Sequence, residues 1–153
     1  MVTPSDDEIT EALEVLGMTG NAVCSYCGDK QTQWDHFRPV VIDSKPTGYI
    51  SEIQNLVPSC GPCNASKGNQ SWRTWITGPA KNSPATRGIR DLDRRIAHLE
   101  AFERWREPTV IDFESGYEVW VYRERLRDKA PPPAPELVLL FAPSGVLAKA
   151  RVR

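Results

Sequence analysis

Two short cysteine motifs, Cys24-Ser25-Tyr26-Cys27 and Cys60-Gly61-Pro62-Cys63, take up all four cysteines of this 153-residue chain. Between and just beyond them stand Asp35, His36, Asn55, Asn64 and Lys67, side chains able to bind a hard cation, move a proton or meet a phosphate. A C-x-x-C turn puts two thiolates on one tight knuckle, and two knuckles supply the four soft ligands of a tetrahedral Zn2+. The 32 residues between Cys27 and Cys60 exceed the roughly 15–20 of a compact zinc ribbon, which leaves room for a small structural unit. Two disulfides or a redox pair are the alternatives. Residues 1–16 begin polar and acidic with no signal-peptide pattern, so an oxidising compartment is not expected. A redox role is disfavoured because there are two motifs and no βαβ pattern around them. A structural zinc held by Cys24, Cys27, Cys60 and Cys63 is the expectation.

The oxygen and nitrogen side chains suit a different task. Hydrolysing a phosphodiester requires an activated water and a cation to neutralise charge on the phosphorane and the departing 3′ oxygen. A neutral histidine, with an unperturbed pKa of about 6.5, can accept a proton near neutrality. A Mg2+-like ion prefers oxygen ligands, which an Asp carboxylate and an Asn carbonyl supply while leaving positions for water and phosphate. Asp35 and His36 set ligand and base side by side. Asn64 falls early in the helix expected after the second knuckle and can complete the metal site. Lys67, three residues on, shares its face and is a candidate contact to the scissile or adjacent phosphate, a solvated helix lysine being the plain alternative.

Asp35-His36, Asn55-Leu56-Val57-Pro58 and Cys60-x-x-Cys63-Asn64-x-x-Lys67-Gly68 resemble the HNH endonucleases, whose shared core is the ββα-metal motif. The resemblance spans roughly residues 24–76 and includes the nine-residue step from Asn55 to Asn64. It implies His36 as general base, Asp35 and Asn64 as ligands of a catalytic Mg2+ or Mn2+, and structural zinc on the four cysteines. Asn55 is then the middle residue, whose side chain holds the His-bearing loop through backbone hydrogen bonds. The third eponymous position is Asn64 and not histidine, a common variant; trading imidazole for an amide oxygen favours a Mg2+-like ion over a transition metal. The implied activity is metal-dependent cleavage of double-stranded DNA. A small HNH protein with substantial flanking segments resembles a sequence-specific restriction endonuclease, acting as a homodimer. A phage or homing-type nicking nuclease, or a zinc-stapled nucleic-acid-binding module without catalysis, are the alternatives.

The elements that must position these residues are legible in blocks. Residues 5–16 predict a helix, with Ser5 and Glu8 as a capping box, Ile9, Leu13 and Leu16 on one face, and Gly17 to close it. Residues 31–42 are strand-prone with Pro39 as an interruption, and 48–57 predict a loop leading into a short strand ended by Pro58. A single helix is expected from near Pro62 through Ile76, stopped by Gly78-Pro79, with Trp72 and Trp75 packed beneath the ββα unit. Residues 80–86 read as a Ser/Pro/Ala linker. Ile89, Leu92, Ile96, Leu99, Phe102 and Trp105 then mark a long amphipathic helix, with His98 as a surface residue. Residues 110–128 are ambiguous and are assigned to helix. A polyproline spacer at 131–135 precedes a β-hairpin formed by 137–141 and 146–152 across a four-residue turn.

The fold class is therefore α+β: a ββα-metal core stapled by a four-cysteine zinc site, with flanking helices and a C-terminal β-hairpin. Four segments are expected: 1–22 as a helical extension, 23–79 as the core, 80–130 as a helical basic region, and 131–153 as spacer and hairpin. No apolar run approaches membrane-spanning length, so no membrane partner and a cytoplasmic location are expected. The formal net charge is only −1, yet residues 1–20 carry five acids and no base while 67–106 carry nine bases against four acids. That asymmetry allows a basic face for a polyanion, with Arg87, Arg90, Arg94 and Arg95 as candidate DNA contacts.

Overall fold

The capping box at Ser5 opens the first helix. Glu8 N–H donates to Ser5 Oγ, and the Glu8 carboxylate accepts from Ser5 N–H, so two orphan amides are satisfied where α1 (Asp6–Val15) begins. A computed structural model describes residues 3–111 and, beyond them, the backbone of three strands. The polyproline spacer and the turn at 143–145 lie outside the described residues.

The central unit is a two-stranded antiparallel sheet. β1 (Gln33–His36) pairs with β4 (Leu56–Ser59), with Asp35 opposite Val57 and His36 opposite Leu56. The intervening chain carries the small hairpin β2 (Val41–Ile42) and β3 (Lys45–Pro46) and a 3-10 turn, Ile53–Asn55. Pro58 lies inside β4 and does not end it. A two-stranded sheet has only edge strands, where a missing N–H is tolerated. The Pro58 carbonyl is put to use, accepting from Ser25 N–H at 2.8 Å and so tying the first knuckle to β4.

The single helix expected over 62–76 is two. α2 (Gly61–Lys67) closes at Gly68, whose φ of +50° a side chain would strain, and α3 (Trp72–Ile76) restarts after Ser71. Trp72 and Trp75 of α3 are buried beneath the sheet, as their spacing predicts. Phe37, directly after His36, is fully buried; it stacks on Trp72 at 5.4 Å between centroids and meets Phe102 edge-on at 5.3 Å. The strand that carries Asp35 and His36 is thus anchored by the next residue along.

The long amphipathic helix is α4 (Leu92–Trp105), burying Leu99 and Phe102. Residues 80–86 are more than a linker: Ser83 and Pro84 are buried, and Ser83 Oγ donates to the Gly78 carbonyl at 2.6 Å, bracing the end of α3. His98 packs against Gly17 at the end of α1, where a Cβ would collide with the imidazole. Ala12 and Leu16 from the first helix, Leu99 and Phe102 from the last, and the four cysteines all belong to one apolar cluster.

Val119–Arg123 is a strand, β5, and not the helix assigned over 110–128; the Val119/Val121 alternation prevails because β5 finds a partner in β7. β6 (Val138–Ala142) and β7 (Val146–Ala150) form the expected hairpin, and the sheet order is β5-β7-β6, all antiparallel. Among the described residues, no helix is long and apolar enough to cross a membrane.

Candidate zinc site and active centre

Each cysteine pair is shaped by local backbone geometry. In the first knuckle Gly28 N–H donates to the Cys24 carbonyl and Cys24 N–H to the Asp29 carbonyl, both at 2.8 Å. In the second, Cys60 caps α2 and Cys63 lies in its first turn, so the ligands and the helix start are one feature. All four Sγ atoms lie within 4.8 Å of one another, and all four residues are buried. Cys27 Sγ and Cys60 Sγ are 3.7 Å apart. That is far beyond a disulfide's ~2.0 Å. It matches the edge of about 3.8 Å that a tetrahedron with ~2.3 Å Zn–S bonds requires. The donor set fits a structural Zn2+.

Arginines expected at DNA are found around this site. Arg87 Nη1 donates toward Cys63 Sγ at 3.6 Å while its other nitrogen pairs with Asp29 at 2.7 Å. Arg95 donates to the Cys24 carbonyl at 3.3 Å and pairs with Asp91 at 2.8 Å. A Cβ on Gly28, which sits at φ +82°, would run into the Arg95 guanidinium. Four thiolates on one Zn2+ leave a net negative charge, and two cations beside it offset that charge. Arg90 and Arg94 are exposed and have no ion-pair partner among the described residues. The charge asymmetry between the two helices is also largely internal. Arg106 pairs with Glu8 and Glu11 across α4 and α1, and Arg73 with Glu100 and Glu103.

At the far end of the same hairpin lie the polar residues. Asp35 is 4% exposed, and Tyr26 from inside the first knuckle donates its hydroxyl to Asp35 Oδ2 at 2.6 Å. Lys67 is wholly buried. Its ammonium sits 3.1 Å from Asp35 Oδ2 and donates to the His36 carbonyl at 2.8 Å. This corrects the placement of Lys67 at a phosphate: α2 crosses β1 so closely that the side chain runs inward and braces the two residues it was expected to assist. Asn64, one turn earlier, donates from Nδ2 to Gln33 Oε1 at 2.7 Å, so α2 lies along the strand face that presents Gln33 and Asp35.

Asn55 is fully buried and clamps the insertion from both sides. Its Oδ1 accepts from Arg38 N–H at 2.7 Å, and its Nδ2 donates to the carbonyls of Arg38 at 3.0 Å and Ile50 at 3.2 Å. Its own carbonyl accepts from Phe37 N–H. The imidazole of His36, half-buried, places Nε2 2.6 Å from Ser51 Oγ. Sequence reasoning missed Tyr26 and Ser51. Neither position has a spacing signal, because each meets its partner only after the hairpin and its insertion have closed.

Burial lowers the His36 pKa below its usual value against the opposing pull of Asp35, which favours the neutral ring. Burial raises the Asp35 pKa, and the Lys67 charge and the Tyr26 hydrogen bond hold it back. An ionised carboxylate offers about four lone-pair positions, and Tyr26 and Lys67 engage this one without exhausting it. The Asp35 carboxylate and the Asn64 amide offer oxygen atoms, the ligand chemistry that a Mg2+-like ion prefers.

Residues 24–70 match the model of the HNH endonuclease family, a span that takes in both knuckles, β1, β4 and α2. No curated protein and no solved structure matches the chain.

Proposed function

We propose that this HNH-domain protein is a metal-dependent DNA endonuclease in which His36 is the general base. The observation that carries the proposal is the joint placement of a half-buried His36 and a buried Asp35 on adjacent strand positions, with Asn64 of α2 bonded to Gln33 on the same strand. Asp35 and Asn64 would hold the ion, which supplies charge neutralisation at the phosphorane and the leaving 3′ oxygen. Asn55 and Lys67 are positioning residues. Asn55 fixes the chain just after His36, and Lys67 holds the Asp35 carboxylate and the His36 carbonyl. His36 takes the proton of the attacking water, whose oxygen bonds to phosphorus as the bond to the 3′ oxygen breaks. The leaving oxygen keeps the electron pair and is protonated by solvent.

Plasmid nicking with Mg2+ or Mn2+, with EDTA as control, tests this. Wild type should convert supercoiled DNA, and His36→Ala should lose at least about a hundredfold in rate, the lower scale of general-base catalysis, with an unchanged melting temperature. Activity should fall on acidification, with a midpoint below about 6.5, since only the neutral ring accepts a proton and burial depresses its pKa. Supercoiled DNA left intact by wild type under every metal condition would sink the enzyme reading and leave a zinc-stapled binding module.

We further infer sequence-specific, restriction-type cutting by a homodimer, one centre for each strand, in preference to a phage or homing-type nickase. Sequenced product ends decide it: fixed ends on both strands support restriction-type cutting, and single-strand nicks overturn it.

A further inference from the structure

We propose that Ser51 is the positioning residue that sets the tautomer and direction of the His36 imidazole, by accepting the Nε2–H and leaving Nδ1 free as the basic nitrogen. The proposal rests on His36 being the general base, and it deepens that assignment by naming which nitrogen works and what holds it.

The backbone of His36 is fixed on both sides without reference to its ring. Lys67 Nζ donates to its carbonyl at 2.8 Å, and the next amide, Phe37 N–H, donates to the Asn55 carbonyl at 2.9 Å. Those bonds leave the ring itself free to rotate. Among the described residues, the only side-chain partner of the imidazole is Ser51 Oγ, 2.6 Å from Nε2.

Ser51 is itself held on both flanks. The Ile50 carbonyl accepts from the buried Asn55 amide, and the buried Glu52 carboxylate accepts from both the N–H and the hydroxyl of Thr109. The hydrogen bond therefore joins two immobilised segments 15 residues apart in sequence. It closes the insertion directly beside Asp35. With its neighbours held, the Ser51 backbone stays beside the ring and keeps Oγ within reach of Nε2.

A neutral imidazole carries one N–H, and the nitrogen with the better acceptor keeps it. Were Ser51 the donor, Nδ1 would carry the hydrogen and neither nitrogen could take a proton from water. With Ser51 as acceptor, Nε2 keeps its hydrogen throughout, and the proton of the attacking water goes to Nδ1. The imidazolium formed then donates to Ser51 through Nε2–H, a charge-assisted bond stronger than the one it replaces. The same contact also has the reach of a nucleophile–base pair. In that case Ser51 Oγ would attack phosphorus and leave a phosphoserine.

Nitrogen NMR separates these outcomes without requiring turnover. The chain has two histidines, and His98→Gln leaves the His36 signals alone in the spectrum. In the zinc-loaded protein, His36 should show a protonated Nε2 and a bare Nδ1, and Ser51→Ala should populate both tautomers. The same substitution should lower kcat roughly ten- to a hundredfold, the scale seen when the outer hydrogen-bond partner of a working histidine is removed. KM and the melting temperature should stay put, and Ser51→Thr should recover most of kcat. A wild-type spectrum with the hydrogen on Nδ1 overturns the proposal, as does a Ser51→Ala protein with unchanged tautomers or unchanged kcat. A trapped phosphoserine, with Ser51→Ala as inactive as His36→Ala, also overturns it, in favour of the nucleophile. Failure of the general-base assignment is a separate result: His36→Ala would keep cutting while the NMR still reported the tautomer.

Discussion

The β1–β4 hairpin has two ends that are held by different means. At one end, Ser59 runs into Cys60 and four buried thiolates converge within 4.8 Å. At the other, the His36 ring meets Ser51, Lys67 donates to the His36 carbonyl, the Asn55 side chain clamps Arg38, and the imidazole stays half exposed. The first end has the donor set of a zinc cross-link, which would fold with its metal. The second is a polar network built on a frame already closed. Tyr26 connects the two, because it sits inside the first knuckle and donates to Asp35. A module this small has little apolar core to hold such a network in shape, so the staple at one end is what makes precision possible at the other. Removing the staple should cost the fold, whereas trimming the network should cost geometry first.

The largest effect expected is loss of zinc. Binding of a structural zinc is worth about 10–16 kcal/mol in zinc-finger peptides and is inseparable from their folding. Cys60→Ser, or a strong chelator, should therefore abolish the cooperative melt and the near-ultraviolet signal of the buried Trp72 and Trp75. Metal analysis of the native protein should return one zinc per chain. A Cys60→Ser protein with normal zinc content and thermal stability would show that the cysteine end is not the staple, and the contrast between the two ends would collapse.

Lys67 gives a smaller effect and sharpens the same contrast. It is 0% exposed and its only carboxylate partner in the described residues is Asp35, itself nearly buried. Breaking one half of a buried pair strands the other charge, which costs about 3–5 kcal/mol. Lys67→Met should lower stability by that order in denaturant melts of the zinc-loaded protein, with zinc content unchanged. Adding Asp35→Leu should recover part of the loss, because the stranded carboxylate is gone. If the single variant is as stable as wild type, the network end does not depend on this pair.

How much of this is readable in advance follows from what each feature depends on. The zinc site is legible because a knuckle is a local object: Cys24 and Cys27, or Cys60 and Cys63, sit together whatever the rest of the chain does. The α1 capping box and the apolar stripe of α4 are legible for the same reason. The break escapes the reading because Trp72, Trp75 and Ile76 keep a helical spacing of their own, while the turn at 68–71, opened by the positive φ of Gly68, separates α2 from α3. The strand at Val119–Arg123 passes for helix because both periodicities fit, and pairing with β7 decides between them. Lys67, Arg87 and Arg95 meet unexpected partners on a shared ground. Residue type suggests solvent or phosphate, but a carboxylate or thiolate brought close by the fold is a nearer partner than any ligand. Ser51 and Tyr26 belong to this group too, since a hydrogen bond between segments 15 or 9 residues apart has no sequence signature.

The smallest effects should separate arginines that look alike in the sequence. Arg87 faces Cys63 and Asp29, and Arg95 faces the Cys24 carbonyl and Asp91, so both belong to the cysteine end of the hairpin. Arg90 and Arg94 are exposed beside them. Each phosphate contact steepens the dependence of log affinity on log salt by about 0.9 on duplex DNA. Arg94→Ala should therefore shallow that slope by about one and weaken binding several-fold, leaving zinc untouched. Arg87→Ala should leave the slope alone and speed zinc release to a colorimetric chelator, because a cation offsetting the thiolate charge is gone. The reverse pattern, a shallower slope for Arg87→Ala and unchanged zinc release, would return Arg87 to the DNA interface. It would also show that the cysteine end of the hairpin serves binding as well as folding.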